Sequence, residues 1–254
     1  MLATLFDFPW QDRHKLTRWS DLVNALPKSM IYETEETRLA ELSECAEYLA
    51  RLWNDRSKLE KRSDLISMMA HSDATRSMDR ENLFGNLILL IIGGNDTTRN
   101  SMTGSVLALS ENPDQYDKLR NNNALVDTFV SEVIRRQTPL AHMRRTAVQD
   151  AKLGGKLIRK GDRVVMWYVS GNRDGDVIEN PDSFIIDRAR PRIHLSFGFG
   201  VHRCLGMRLA ELQLKIVWEE ILKRFDRIEV VGEPERIYSS FVRGYSTLPV
   251  RIKT

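Results

Sequence analysis

Of the 254 residues, two are cysteines, and one of them, Cys204, lies in FGFGVHRCLG, residues Phe197 to Gly206. That stretch also holds Gly198, Gly200, His202 and Arg203, and the apolar run LGMRLAELQLKIVWEEIL follows at once. A loop of this kind can present a metal-bound thiolate. The sulfur would sit at a helix N-terminus, where unpaired backbone N–H groups and the macrodipole favour negative charge. Zinc fits poorly, because a structural zinc site wants four ligands and His202-x-Cys204 offers two, with no second pair nearby. A nucleophilic cysteine needs a positioned base, and spacing alone does not aim His202 at the sulfur. A single thiolate on a haem iron needs no other protein ligand from this face. It does need glycines for close approach, N–H groups near the sulfur and cations for the propionates. Gly198, Gly200, Gly206, His202 and Arg203 meet those needs, which puts haem ahead of a glycine-rich turn that merely precedes a helix.

A second constellation is Gly93-Gly94-Asn95-Asp96-Thr97-Thr98, directly after the apolar run LFGNLILLII. Two glycines inside a helix cost about 1 kcal/mol each relative to alanine. A flat ligand packed on the helix would offset that cost, since only glycine lets the backbone come close. A close helix–helix crossing would do so equally well. The polar residues that follow put hydrogen-bonding groups in apolar surroundings, and Thr97 can bond the carbonyl of residue 93 and open the helix locally. A third constellation is Glu132-x-x-Arg135, a pair at helical i, i+3 spacing. Arg188, Arg190 and Arg192 lie in the irregular stretch before the cysteine and can supply a second guanidinium.

The elements that must hold these groups are mostly helical. Helices are predicted over Asp12 to Leu26, Glu33 to Lys58, Met78 to about Ser110, Asp114 to Arg120, Ala124 to Gln137 and Leu205 to Phe225. A short helix through Met69 is capped by Ser63 or Asp64. Leu39, Leu42, Cys45, Ala46, Leu49 and Trp53 form one stripe, so Cys45 reads as a small core residue. Leu205, Leu209, Leu212 and Ile216 share a face of the last helix. Turns at Gly154-Gly155 and Gly161-Asp162 separate short strands, Val164 to Val169 is a β-type run, and the tail reads as hairpin strands. The fold expected is mainly α with small β-sheets (α+β), one domain over 1–254.

Composition adds exclusions. The chain is 42% hydrophobic and 29% charged with a net charge of +3, so nothing demands a nucleic acid partner. Two distant cysteines suit a reducing cytoplasm better than a disulfide framework. No secretory leader pattern is visible, and Leu83 to Gly94 is too short to span a bilayer.

With these residues in view, the chain resembles the cytochromes P-450, the haem-thiolate monooxygenases. FGFGVHRCLG is similar to the family's cysteine-ligand loop and GGNDTT to the oxygen-activating segment of its long distal helix. EVIR supplies the Glu-x-x-Arg pair, and PDSFIIDR, Pro181 to Arg188, carries the arginine that completes the triad Glu132, Arg135 and Arg188. The four occur in the family's order. The resemblance runs from Met1 to Thr254 but covers only the C-terminal portion of the family fold. Members carry a longer N-terminal part with a helix bearing Trp and Arg for a haem propionate, so a partial or truncated reading frame is expected. GGNDTTRNSMTG, PLAHMRRTA, VVMWYVSGNRD and SSFVRGYSTLPVRI resemble the bacterial alkane and fatty-acid terminal hydroxylases.

The resemblance implies haem b (iron protoporphyrin IX) with Cys204 as its proximal ligand, the thiolate favouring O–O cleavage. It implies Phe197 shielding the sulfur, Gly198, Gly206, Gly93 and Gly94 against the macrocycle, and Arg145 and His202 on the propionates. It implies that Asp96 and Thr97 are the acid–alcohol pair that delivers protons to dioxygen. A small apolar substrate, O2, two electrons and two protons would give an alcohol and water. No flavin or dinucleotide fingerprint appears, so electrons come from outside, with a ferredoxin and ferredoxin reductase the expected donor and Arg203, Arg208 and Lys215 the docking cations. Leu89, Leu140, Ala141, Met143, Phe241 and Val242 suit an alkyl chain in a pocket, or a core. Two alternatives are a catalytically incompetent remnant and a haem-thiolate protein with non-oxygenase chemistry.

Overall fold

The computed structural model describes residues 1–27 and 29–253. It is mainly helical with small antiparallel sheets, and it divides into two compact units, Met1–Arg99 and Asn100–Thr254.

The first unit contains α1 (Leu2–Leu5), α2 (Arg13–Asn24), α3 (Glu35–Lys58), α4 (Leu65–Ala70) and the first two thirds of α5 (Arg80–Glu111). Local chemistry sets the starts. Thr34 caps α3 through the Thr37 N–H, and Asp64 Oδ1 accepts from the Ser67 N–H at 2.8 Å to cap α4. Before α5, Asp79 accepts from the Asn82 N–H at 2.9 Å. The core joins Phe6, Phe8, Leu16, Trp19, Leu22, Leu49, Ile66, Leu87 and Ile91, with Phe8 stacked on Tyr48 at 4.9 Å. Cys45 lies in this core, 0% exposed, and burial pushes its thiol up to about 12. Leu39 departs from its predicted stripe and is exposed.

The second unit continues α5 to Glu111, where Asn112-Pro113 breaks it; Pro113 begins α6 (Pro113–Asn121). It adds α7 (Val126–Gln137), α8 (Tyr168–Gly171) and α9 (Met207–Arg224). Strand β1 (His142–Thr146) pairs with β4 (Arg163–Trp167), and β2 (Ala151–Leu153) with β3 (Lys156–Ile158). Strand β5 (Arg227–Val230) pairs with β8 (Val250–Lys253), and β6 (Glu235–Arg236) with β7 (Tyr245–Thr247). The β2–β3 turn places Gly154 and Gly155 at φ +56° and +76°, the left-handed pair that a two-residue hairpin needs.

Two expectations change here. The β-type run Val164 to Val169 stops at Trp167, because Tyr168 opens α8. The face of α9 that is buried is Leu214 and Trp218, with Ile221 and Leu222 beside them, packed on Phe129, Val130 and Val133 of α7. Leu205, Leu212 and Ile216 are instead exposed. This helix has apolar residues on more than one side, and periodicity does not choose between them. Trp218 decides it: its ring meets Phe129 at 5.1 Å, edge to face, and its Nε1–H reaches the buried Ser105 Oγ at 2.8 Å.

Candidate active site

In the second unit, Cys204 is held by two turns. Its N–H donates to the Phe197 carbonyl at 2.8 Å, and the Gly198 N–H donates to the Leu195 carbonyl at 2.8 Å. Gly198 sits at φ +68°, and a Cβ there would stand 3.1 Å from the Tyr168 hydroxyl, so this turn needs glycine for conformation and for space. Gly200 sits at φ +69° and opens the 3-10 turn Gly200–His202. Gly206 is the N-cap of α9, so the sulfur stands just ahead of that helix's unpaired N–H groups. Partial burial raises the thiol above its ordinary value, and a hydrogen bond from the Gly206 N–H works against that rise. The residue itself is exposed.

Around it, Phe197 is half-buried and its ring lies 5.5 Å from that of His194. Burial holds the His194 imidazole down to about 4, with the nearby Arg135 guanidinium adding to the effect. His202, Arg203 and Arg208 are exposed; Arg203 Nη2 lies 3.2 Å from Met207 Sδ. Lys215 is paired with Asp127 at 2.9 Å. Arg145 is half-buried on β1, opposite Val164, and donates to the Arg144 carbonyl at 2.9 Å.

Behind the loop, the structure brings Glu132, Arg135 and Arg188 together. Glu132 and Arg135 are 0% and 1% exposed. Arg135 makes a two-pronged pair with the Glu132 carboxylate at 2.8 Å and 2.8 Å, and Arg188 Nε reaches the same carboxylate at 2.9 Å. The Ile185 N–H is a fourth donor to it at 2.9 Å. Further guanidinium N–H groups go to main-chain carbonyls: Asn172, Pro181 and Ser183 for Arg135, and Glu179, Asn180 and Ser183 for Arg188. Arg190 and Arg192 lie outside this set. Arg192 instead pairs with Glu211 at 3.5 Å.

Leu140 and Val242 form a β-bridge, and the Ala141 N–H donates to the Phe241 carbonyl at 2.9 Å. These four are therefore neighbours, with Ala141 and Val242 buried and Leu140 and Phe241 half-buried; Met143, also half-buried, follows on β1 opposite Met166. Leu89 belongs to the first unit and is 66% exposed on α5.

In the first unit, the Gly93–Thr98 segment stays helical throughout. Thr97 Oγ1 donates to the Gly93 carbonyl at 2.7 Å without interrupting the helix. A Cβ on Gly94 would come within 2.7 Å of Leu2 Cδ2, the end of a flexible side chain. Gly93 is exposed and faces open space with nothing within 4 Å, the bare backbone that a flat ligand would require. Asp96 is buried, and its Oδ2 accepts from Ser20 Oγ at 2.9 Å and Asn24 Nδ2 at 2.5 Å. Its Oδ1 accepts from Arg99 at 3.0 Å, and Arg99 also pairs with Asp21 at 2.7 Å. Ser20 and Asn24 escape a sequence reading because they lie more than 70 positions from Asp96 on an ordinary amphipathic helix.

Burial raises the Asp96 carboxyl above its ordinary value, while Ser20, Arg99 and Asn24 pull it back. A carboxyl raised on folding favours the protonated native state. Its ionisation therefore weakens the fold as pH climbs from the unfolded value through the raised native one, and the deficit persists at neutral pH. Asp96→Asn removes this ionisation but also turns an N–H toward the Ser20, Asn24 and Arg99 donors, so the expectation concerns the pH trend: its stability relative to the parent should fall on acidification, as the parent regains its protonated carboxyl. Urea titrations at pH 7 and pH 3.5 check this; a relative stability that stays constant or rises in acid contradicts it.

Among the described residues no three or more His, Cys, Asp or Glu side chains gather as a metal site. Cys204 thus stands as a single exposed sulfur donor on a glycine loop, the donor set that an iron held by a macrocycle calls for.

The structure of CYP153D17 from Sphingomonas sp. PAMC 26605 superposes with a TM-score of 0.90 at 50% identity, covering 100% of this chain and 64% of that one. Linalool 8-monooxygenase of Pseudomonas putida is 41% identical over 188 residues, 74% of this chain and 46% of that protein. Methyl-branched lipid omega-hydroxylase of Mycobacterium tuberculosis is 32% identical over 254 residues, 98% of this chain and 59% of that protein. The chain thus spans less than two thirds of each of these proteins. The Cytochrome P450 family model matches residues 3–253, and with the sulfur loop and the buried Glu–Arg–Arg cluster it leads to one conclusion: the chain belongs to the cytochrome P450 family.

Proposed function

We propose that this chain carries the haem-thiolate and oxygen-handling residues of a monooxygenase that hydroxylates an aliphatic substrate, at the terminal position of an n-alkane or fatty acid. The observation that carries the reading is the Cys204 sulfur, exposed on its glycine loop at the start of α9. The cofactor is haem b, which supplies the activation of dioxygen when bound. Cys204 would hold it, with Gly198, Gly206 and Gly93 allowing close approach and His202 and Arg145 serving its propionates.

The chain's own residues supply the rest. Asp96 keeps a carboxyl raised toward protonation in a buried hydrogen-bonded setting, suited to holding and passing a proton. Thr97 anchors its hydroxyl to the Gly93 carbonyl, which fixes its rotamer beside the bare glycine face. Leu89, Leu140, Ala141, Met143, Phe241 and Val242 offer apolar surface for an alkyl chain. Electrons come from a ferredoxin and its reductase. The exposed Arg203 and Arg208 would meet the ferredoxin, while Lys215 already has Asp127 as partner.

One relative is named for omega-hydroxylation of a lipid, which favours an aliphatic chain end as target. One family match over residues 3–253 supports reading the chain as a single domain. Among the described residues no helix is long and apolar enough to cross a membrane. Both cysteines are free thiols, which suits a reducing compartment, and we place the enzyme in the cytoplasm.

The test uses the full-length enzyme loaded with haem. Reduced under carbon monoxide it is expected to give the thiolate-type Soret band. With ferredoxin, reductase and O2 it should convert an n-alkane or fatty acid to the terminal alcohol. A haem-loaded protein without the thiolate band overturns the reading. Thr97→Ala is expected to lower product formed per O2 consumed by up to ~100-fold, the lower end of the range for a positioned acid or base. Oxygen consumption itself should continue, and Thr97→Ser should restore most of the yield. Unchanged coupling removes Thr97 from the mechanism.

A further inference from the structure

One buried side chain of the second unit belongs to none of the constellations above. Asn172, just past α8, is 0% exposed. Its Nδ2 donates to Thr138 Oγ1 and to Ser196 Oγ, both at 2.8 Å, and its Oδ1 accepts from the Leu195 N–H at 2.6 Å. Its main-chain carbonyl accepts from Arg135 Nη1 at 2.8 Å.

The orientation of the amide follows from its neighbours. Thr138 Oγ1 donates its own proton to the Arg135 carbonyl at 2.6 Å, and Ser196 Oγ donates to the Ile134 carbonyl at 2.8 Å. Both hydroxyls have spent their proton, so both oxygens must accept, and the group between them must present two N–H bonds. The Leu195 N–H on the other side needs an acceptor. A carboxylate fails the first requirement, and an apolar side chain fails both. Thr138 adds a second constraint. It is β-branched, fully buried and held at φ +44°, where such residues carry strain.

Leu195 and Ser196 lead straight into the sulfur loop. The Leu195 carbonyl receives the Gly198 N–H, and the Phe197 carbonyl receives the Cys204 N–H. We propose that Asn172 is a positioning residue for Cys204. Its amide ties Leu195–Ser196 to the C-terminal end of α7, and so carries the rigidity of the Glu132–Arg135–Arg188 cluster into the loop that presents the sulfur. The inference rests on the proposed function only for why that sulfur must be held.

The test reads the haem-free chain, so its outcome is independent of whether the enzyme hydroxylates. Amide hydrogen exchange and iodoacetamide alkylation of Cys204 are compared in Asn172→Ala and in Leu109→Ala, a core variant of the same unit, at denaturant concentrations that equalise their stability. Cys45 does not interfere, being buried with its thiol near 12. In Asn172→Ala the Leu195, Gly198 and Cys204 amides are expected to exchange about tenfold faster than in Leu109→Ala, the scale of losing one or two buried hydrogen bonds from a local opening. Cys204 should also alkylate faster, while the Phe129 amide exchanges alike in both. Equal behaviour of the loop in the two variants overturns the proposal. Should Asn172→Ala not fold, Ser196→Ala removes one acceptor of the clamp, and no acceleration at Cys204 in that variant overturns it equally.

Discussion

Cys204→Ala is expected to abolish the thiolate-type carbon monoxide band of the haem-loaded full-length enzyme and to lower turnover by more than ~100-fold. That bound is conservative, because losing even an outer partner of a metal ligand costs 10–100-fold in many sites. The fold should not notice the change. Cys204 is exposed, and the bond that shapes its turn runs from its main-chain N–H to the Phe197 carbonyl, which alanine keeps. The thermal midpoint of the haem-free chain should therefore move by no more than an ordinary surface substitution, within about 0.5 kcal/mol. Separating the two readouts is the value of the experiment. Loss of the band with an unmoved midpoint assigns the sulfur to the iron. A band that survives assigns it elsewhere. Loss of both places Cys204 in the framework of the loop.

The parts of the site that a sequence reader can see are those written in short local patterns. Glu132 and Arg135 sit three apart on one helix, and Cys204 shares its loop with the glycines that shape it. Element boundaries are legible for the same reason: Asp64, Asn112-Pro113 and the Gly154-Gly155 hairpin turn act within a few residues. Long-range choices were not legible. β1 has the sequence HMRRT, which carries no strand signature, and it is extended because it pairs with β4 in register Arg144 to Val165. On α9 the stripe of Leu205, Leu209, Leu212 and Ile216 competes with the one that carries Trp218, and only the packing on α7 and the bond to Ser105 decide which is buried. Ser20, Asn24 and Asn172 are common polar residues whose meaning comes from partners tens of positions away. Asn172 lies in VVMWYVSGNRD and carries no recognisable task there, since Thr138 and Ser196 become its neighbours only when the chain folds.

Glu132→Gln is expected to destabilise the second unit by about 3–5 kcal/mol, the cost of removing one partner from a buried ion pair. The geometry argues for the upper part of that range. One carboxylate, 0% exposed, answers two guanidiniums and the Ile185 N–H. Glutamine keeps the shape but removes the charge and replaces one acceptor oxygen by a donor. It therefore leaves two cations facing each other with an N–H group turned toward them. Arg188→Ala should cost less, because Arg135 keeps its two-pronged partner, and water can reach the rim of the cluster where Arg188 is 9% exposed. The order Glu132→Gln worse than Arg188→Ala is the discriminating result, read from urea unfolding followed by the fluorescence of Trp218 in a variant lacking the other tryptophans. The reverse order would mean that the main-chain carbonyls of Glu179, Asn180 and Ser183, which Arg188 gathers, hold this region together and that the carboxylate is secondary. If the cluster is what keeps the end of α7 rigid, Glu132→Gln should also loosen the Leu195 amide, because Arg135 holds the Asn172 carbonyl and Asn172 holds Leu195. Stability and sulfur presentation would then fail together, through a carboxylate that touches neither the sulfur nor any substrate.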